Sequence, residues 1–79
     1  MRRAPHPTLV LTFHTTAAAM QTQQACAAAE IPGRLFPVPR QLSSDCGIAW
    51  ASDPADRPRL EALMAAGEIE PAALTELAL

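Results

Sequence analysis

The strongest nucleophiles of this chain are the thiols of its two cysteines, Cys26 and Cys46. A thiolate is the nucleophilic form of cysteine, and it exchanges sulfur with other thiols and disulfides. Cys46 follows a polar Ser-Ser-Asp run and precedes Gly47, whereas Cys26 lies in an alanine-rich segment. A lone cysteine is more often a small buried side chain than a reactive one, so sequence context has to separate the two roles. The polar neighbours favour Cys46 as the reactive thiol.

The remaining composition excludes several other kinds of site. The chain has no lysine, so it has no Schiff-base nucleophile and no phosphate-loop lysine. It has neither a Cys-x-x-Cys pair nor two histidines at ligand spacing, so we expect no metal and no cofactor. Its six basic residues are all arginine and form no run beyond Arg2-Arg3, and the net charge is -2. This pattern argues against nucleic acid as a partner.

A length of 79 residues allows one small domain with one core. The hydrophobic fraction of 49% and the charged fraction of 18% are typical of a chain that folds. The apolar run after Arg2-Arg3 is too short for a signal peptide, and no stretch approaches the length of a membrane span. We therefore expect a cytoplasmic protein without membrane contact, in which thiols stay reduced.

The first half of the chain predicts a strand, a helix and an edge strand. Residues 8–14 are rich in β-branched and large apolar residues and predict a buried central strand. Thr15 and Thr16 offer an N-cap for a helix that Pro32-Gly33 ends. Cys26 falls on the helix face turned away from the core. At about 100° per residue, the face predicted to pack on the core holds Ala17, Met20, Gln24, Ala27, Ala28 and Ile31.

Prolines and glycines divide the second half of the chain. The strand at 34–38 contains Pro37, which cannot donate to a sheet ladder, so we expect an edge strand or one that ends early. A loop over 39–47 and a short strand over 48–51 follow. A second helix begins after either Asp53 or Asp56, since both can act as N-cap, and Gly67 is its natural C′ residue.

The predicted order is β-α-β-β-α, with a very short last strand at 68–70 left open. This order is the split β-α-β pattern of ferredoxin-like α+β sandwiches, in which two helices pack on one face of an antiparallel sheet. We expect a flexible leader at 1–7, a single α+β domain at 8–71 and a weak helical tail at 72–79.

The fold places the loop around Cys46 beside the first helix. A right-handed crossover makes the first two strands parallel with the third between them, so the loop lies at the same sheet edge as His14 and Thr15. The N-terminus of a helix favours anions, including a thiolate, and Arg40 adds a positive charge in the loop. Cys26 lies about 16 Å along the helix, too far to form a disulfide with Cys46.

The residues from Leu11 to Met64 resemble a family of small domains described as selenium/sulfur carrier protein-like. The matching segments are Thr12-Phe13-His14-Thr15-Thr16, Ile31-Pro32-Gly33-Arg34 and the run from Pro37 to Ala49, which contains the Pro-Arg pair, the Ser pair and Cys46-Gly47. The resemblance implies an α+β fold and one carrier cysteine, Cys46. It also implies a cysteine desulfurase or a selenium-metabolism enzyme as the neighbouring partner.

Seven loop and helix residues could support the thiol. Arg40 could neutralise an anionic adduct or dock an acidic partner, or be an ordinary surface arginine. Ser43 and Ser44 could donate to the carried atom or simply form a turn. Gly47 permits close approach or a positive φ. His14, beside the helix N-terminus at Thr15 and Thr16, could transfer a proton or be half-buried without a role.

Three functions remain open from the sequence. The first is a sulfur or selenium carrier whose Cys46 thiolate attacks a persulfide or selenide donor. The second is a non-catalytic interaction or regulatory module, a homodimer through its exposed sheet face, because this fold hosts many unrelated functions. The third is a thiol enzyme. The sequence is more typical of a carrier than of a catalyst, because no convincing general base accompanies the thiol.

Overall fold

The strand with the most apolar sequence, β1, lies at the centre of the sheet. Its residues Leu9, Val10 and Leu11 are fully buried. The computed structural model describes residues 6–42 and 46–79. Within these ranges the elements are β1 (Pro7–Thr12), α1 (Thr16–Ala28), β2 (Arg34–Pro37), β3 (Ile48–Ser52), a 3-10 turn (Pro54–Asp56), α2 (Arg57–Ala65) and β4 (Ala73–Ala78).

The four strands form one sheet in the order β2-β3-β1-β4, and every neighbouring pair is antiparallel. Strands β1 and β2 are therefore parallel to each other with β3 between them, as the crossover argument predicts. Strand β2 lies at the edge and ends at Pro37, which confirms the proline argument. The ferredoxin-like α+β prediction is confirmed.

Both helices cover the same face of the sheet. Alternation along β1 and β3 directs Leu9, Leu11, Phe13 and Trp50 toward the helices, where they pack with Leu60 of α2. The Trp50 indole donates to Ser52 Oγ at 2.9 Å, and Ser52 Oγ donates to the Pro32 carbonyl at 2.8 Å. These two bonds satisfy the buried polar side-chain atoms of Trp50 and Ser52. Neither described helix is long and apolar enough to cross a membrane.

The buried face of α1 is not the predicted one. Its buried residues are Ala19, Thr22 and Cys26, whereas Met20 is 46% exposed. Alanine occupies every side of this helix, so periodicity carries almost no information about which side is buried. The Thr22 hydroxyl donates to the Ala18 carbonyl at 3.0 Å, which allows a polar side chain to enter the core. The prediction that Cys26 faces away from the core is wrong.

Each candidate N-cap precedes a helical element, but only Asp53 caps its element with a side-chain hydrogen bond. Asp53 accepts from the Ala55 amide at 2.8 Å and starts the 3-10 turn, and Asp56 is the cap residue of α2. Pro58 therefore lies in the first turn, where it costs no hydrogen bond. At the other end, Gly67 has φ +75° and is the C′ residue, as predicted.

The last segment forms a strand rather than a helical tail. Strand β4 pairs with β1 along its whole length, from Pro7↔Ala78 to Thr12↔Ala73. Alanine, leucine and glutamate favour a helix in isolation, but the edge of β1 offers backbone partners and tertiary pairing prevails. The helical tail at 72–79 and the strand at 68–70 are therefore wrong, and the sheet extends past residue 71.

The predicted leader at 1–7 also overlaps the sheet. Residues 1–5 lie outside the described residues, and Pro7 already belongs to β1. His6 extends the pairing with β4, because its amide donates to the Leu79 carbonyl at 3.2 Å and its carbonyl accepts from the Leu79 amide at 3.1 Å. The ladder between the two strands thus begins one residue before β1.

Candidate functional site

Among the described residues, those selected from the sequence lie at one edge of the sheet. Pairing of Thr12 with Ala49 and of Pro37 with Ile48 aligns the end of β1, the end of β2 and the start of β3. The segment 38–47 therefore begins and ends at the edge where β1 leads into α1. This shared edge was predicted from the handedness of the crossover.

Cys46 lies at the base of that segment, two residues before β3. Its side chain is half-buried and packs against the edge of the hydrophobic core. The thiol donates to the Ile48 carbonyl with a sulfur–oxygen distance of 3.5 Å. A thiol is a weak donor, so this contact orients the sulfur without holding it strongly. A partly exposed, oriented sulfur is suited to exchange with a partner's thiol.

Gly47 sets the direction in which the chain leaves Cys46. Its φ is +74°, and an added Cβ would meet no atom within 4 Å. The requirement for glycine is therefore conformational rather than a matter of space. The Gly47 carbonyl accepts from the Val38 amide at 3.1 Å and closes the base of the loop beyond the Pro37↔Ile48 pair. Gly47 thus connects Cys46 directly to the first residue of β3.

Arg40 lies in a turn on the β2 side of the same segment. The Leu42 amide donates to the Pro39 carbonyl at 3.0 Å, which closes this turn, and Arg40 is exposed. The predicted supports Ser43 and Ser44 lie outside the described residues. Arg40 and Cys46 therefore occupy opposite limbs of one loop.

The N-terminus of α1 completes this edge. Thr15 is the N-cap, and its side chain accepts from the Ala18 amide at 3.1 Å, as the sequence predicts. His14 and Thr16 are exposed on either side of it. The structure brings the three residues to the sheet edge that carries Cys46.

Cys26 has the opposite environment. Its side chain is fully buried in the core, and it forms no disulfide with Cys46. Burial raises the pKa of the Cys26 thiol above its usual value, while the charge of Arg59 lowers it and that of Asp56 raises it further. The neutral thiol is therefore its stable form at neutral pH.

One segment that contributes to this edge was not predicted from the sequence. The connection from α2 to β4 returns there, since the Ala72 amide donates to the Thr12 carbonyl at 2.7 Å. Ile69 in this connection is buried in the core and anchors it. An apolar residue between Glu68 and Glu70 was the available signal, but it also fits a short strand. Recognising β4 would have been necessary to place this segment.

The comparison with protein families covers most of the chain. The family model described as putative Se/S carrier protein-like matches residues 8–76, from β1 to β4, and includes Cys46 and Gly47. Neither a curated protein nor a solved structure matches the chain. The family match spans nearly the whole sequence and extends the resemblance seen from Leu11 to Met64. The chain therefore belongs to the Se/S carrier protein-like family.

Proposed function

We propose that Cys46 accepts one atom of sulfur or selenium from a donor persulfide, or from its selenium analogue, and passes it to an acceptor thiol. The observation that supports this most is the difference in burial between the two thiols. Cys46 is partly exposed at a loop edge, whereas Cys26 is enclosed by the core. Within the family to which the chain belongs, Cys46 is thus the thiol that a partner protein can approach.

The transfer conserves atoms and electrons. The Cys46 thiolate attacks the terminal sulfur of the donor persulfide, the donor's sulfur–sulfur bond breaks, and the donor thiolate leaves. A new sulfur–sulfur bond joins that atom to Cys46, and the same exchange in reverse delivers it to an acceptor thiol. Free selenide would need an oxidant to bond to a thiol, so the selenium donor in this proposal is a selenium-terminated persulfide analogue.

Other residues of the edge support the adduct in this proposal. A persulfide is more acidic than a thiol and is carried as an anion, so Arg40 and the N-terminus of α1 provide favourable positive potential. His14 is exposed at the same edge and can exchange a proton with solvent or a partner. In this proposal Ser43 and Ser44 are hydrogen-bond donors to the carried atom.

The proposed donor is a cysteine desulfurase or a related enzyme of selenium metabolism, and the test uses it directly. Reduced protein is incubated with a desulfurase and cysteine, and the intact mass is recorded. We expect wild type and Cys26→Ala to gain one sulfur atom and Cys46→Ser to gain none. An equal gain in Cys46→Ser would contradict the proposal. Cooperative urea unfolding of each variant confirms that it is folded before loading.

A second arm replaces cysteine with selenocysteine and detects selenium by mass. Loading with both elements at comparable rates indicates a carrier of either atom, and a strong preference shows which atom Cys46 accepts more readily. Matched variants Arg40→Gln and Arg57→Gln separate the loop charge from a distant surface charge. We expect Arg40→Gln to slow loading and Arg57→Gln to leave it unchanged.

A further inference from the structure

A groove of about 550 Å³ lies at the end of the sheet opposite Cys46. It opens on the face that the helices do not cover. On that face, Ala51 of β3 is directly opposite Arg34 of β2 and Val10 of β1. Ala51 is the smallest of these three residues, and it lines the groove together with Arg34. This volume is in the range of small-molecule sites, roughly 300–1,000 Å³.

The two walls of the groove differ in chemistry. One wall is Arg34 with Phe36, two residues apart on the same face, and the guanidinium carbon lies 6.0 Å from the ring centroid. The other wall is the end of β1 and β4, where His6 and Leu79 are paired through their backbones. The groove is thus largely apolar, with its fixed positive charge on one side.

Asp53 supplies a negative charge at the end of the same groove. It follows β3 in an extended conformation, two residues after Ala51, which makes it a diagonal neighbour of Arg34. Diagonal neighbours in a sheet lie about 7–8 Å apart across the strands. One carboxylate oxygen accepts from the Ala55 amide, which fixes the group and leaves its second oxygen for a ligand. Among the described residues, no ion pair joins Asp53 and Arg34.

We propose that this groove binds a free α-amino acid as its zwitterion. The ligand carboxylate accepts from Arg34, the ammonium donates to Asp53, and an apolar side chain lies against Phe36 and Pro32. A simple anion such as phosphate would gain Arg34 but meet the charge of Asp53, and an amine would meet Arg34. The opposite charges at diagonal spacing therefore select a molecule whose ammonium and carboxylate groups are bonded to one carbon atom.

This site is separate from the carrier thiol. The five residue steps along β1 from Pro7 to Thr12 span about 17 Å, so a ligand in the groove does not reach the edge that holds Cys46. The groove therefore acts as a recognition or control site and does not depend on sulfur transfer. Its test uses a ligand without sulfur or selenium, so that its outcome is independent of the carrier function.

The experiment is a nuclear magnetic resonance titration of the full chain with L-leucine, isocaproate and isoamylamine. The last two lack the ammonium and the carboxylate, respectively. We expect saturable shifts at the amides of Gly33, Arg34 and Ala51 and none at Gly47. Each analogue should bind about tenfold more weakly than leucine, because each loses one charge-assisted interaction.

Two variants and a control test the assignment of the charges. Arg34→Gln and Asp53→Asn should each weaken leucine binding about tenfold, and Asn keeps the N-cap of the 3-10 turn. Arg40→Gln, an exposed arginine at the opposite edge, should bind leucine as wild type does. The absence of saturable binding, equal binding of isocaproate, or unchanged binding by Arg34→Gln would each overturn the proposal.

Discussion

The two ends of this sandwich treat a cysteine in opposite ways. Cys26, near the end of α1, is enclosed by the core, and α2 closes over that end. Arg59 of α2 donates to the Ala29 carbonyl at 2.6 Å and so caps the last turn of α1. Cys46 is half-buried at the other end, at the sheet edge where α1 begins and the connection to β4 returns.

This difference in burial between the two cysteines follows from where each one lies in the fold. One core needs every apolar group that it can bury, so a thiol inside it serves as packing. A sheet edge where loops gather has fewer packing demands and leaves a side chain open to partners. The same residue type is therefore enclosed by the core at one end and partly exposed at the other. Measurements at each cysteine and its neighbours can test this difference in environment.

The largest expected contrast is in alkylation of the native protein. Iodoacetamide should modify Cys46 at least about a hundredfold faster than Cys26, because Cys26 reacts only when the core opens. Site-resolved mass spectrometry over time measures both rates in one sample. In concentrated urea the two rates should converge. Comparable rates without denaturant would contradict the difference in burial, because they would mean that the core does not protect Cys26.

The next contrast is the response of stability to a serine substitution. Cys26→Ser places a hydroxyl among apolar side chains and should lower the free energy of unfolding by about 1–3 kcal/mol. Cys46→Ser should lower it by less than about 1 kcal/mol, since the site is partly solvated. Urea denaturation of both variants measures the difference. A larger cost at Cys46 would show that this edge is structural.

Arg59 tests how firmly the Cys26 end is held. Arg59→Met removes the hydrogen bonds to the Ala29 and Glu30 carbonyls and the ion pair with Asp56 at 3.4 Å. The arginine is about half exposed, so we expect a cost of about 1 kcal/mol in the free energy of unfolding.

The matched control is Arg57→Met on the same helix. Arg57 makes an exposed ion pair with Glu61 at 3.2 Å, one turn further along α2. Such pairs contribute about 0.3–0.5 kcal/mol, so this variant should unfold nearly as wild type does. Equal costs for the two variants would show that Arg59 does not tie α2 to α1.

The smallest expected effect is a loss of stability at high pH. Burial raises the pKa of Cys26 in the folded state above its usual value of about 9. The unfolded chain then loses this proton first, so the stabilising contribution is complete below about pH 9 and declines as the pH rises toward the folded-state pKa.

The composition makes this titration readable, because the chain has neither lysine nor tyrosine to ionise in the same range. Urea midpoints are measured from neutral to alkaline pH on the Cys46→Ser background, with and without Cys26→Ala. The variant that keeps Cys26 should lose more stability above about pH 9. Parallel pH profiles would contradict the buried neutral thiol.

The sequence allowed the topology to be predicted further than the packing. Alternating and continuous apolar runs, two prolines and a crossover rule were enough to place β1, β2, β3 and the edge that holds Cys46. The strand β4 was missed because its alanine, leucine and glutamate residues favour a helix, and only pairing with β1 makes them a strand. The buried side of α1 was missed because alanine surrounds that helix.

The candidate site was predictable to a similar depth. The Thr15 cap, the position of Gly47 and the shared edge follow from local rules and topology. The return of the chain at Ala72 depended on β4 and could not be placed without it. The burial of Cys26 required the orientation of α1, which the sequence leaves undetermined.

The most direct test of this account locates the carried atom in the unmodified protein. Wild-type chain loaded by a desulfurase is fragmented in the mass spectrometer without reduction, and the extra sulfur is assigned to one cysteine. We expect the extra sulfur atom on Cys46, and we expect an added acceptor thiol to remove it. Sulfur found on Cys26, or shared equally by the two thiols, would contradict it.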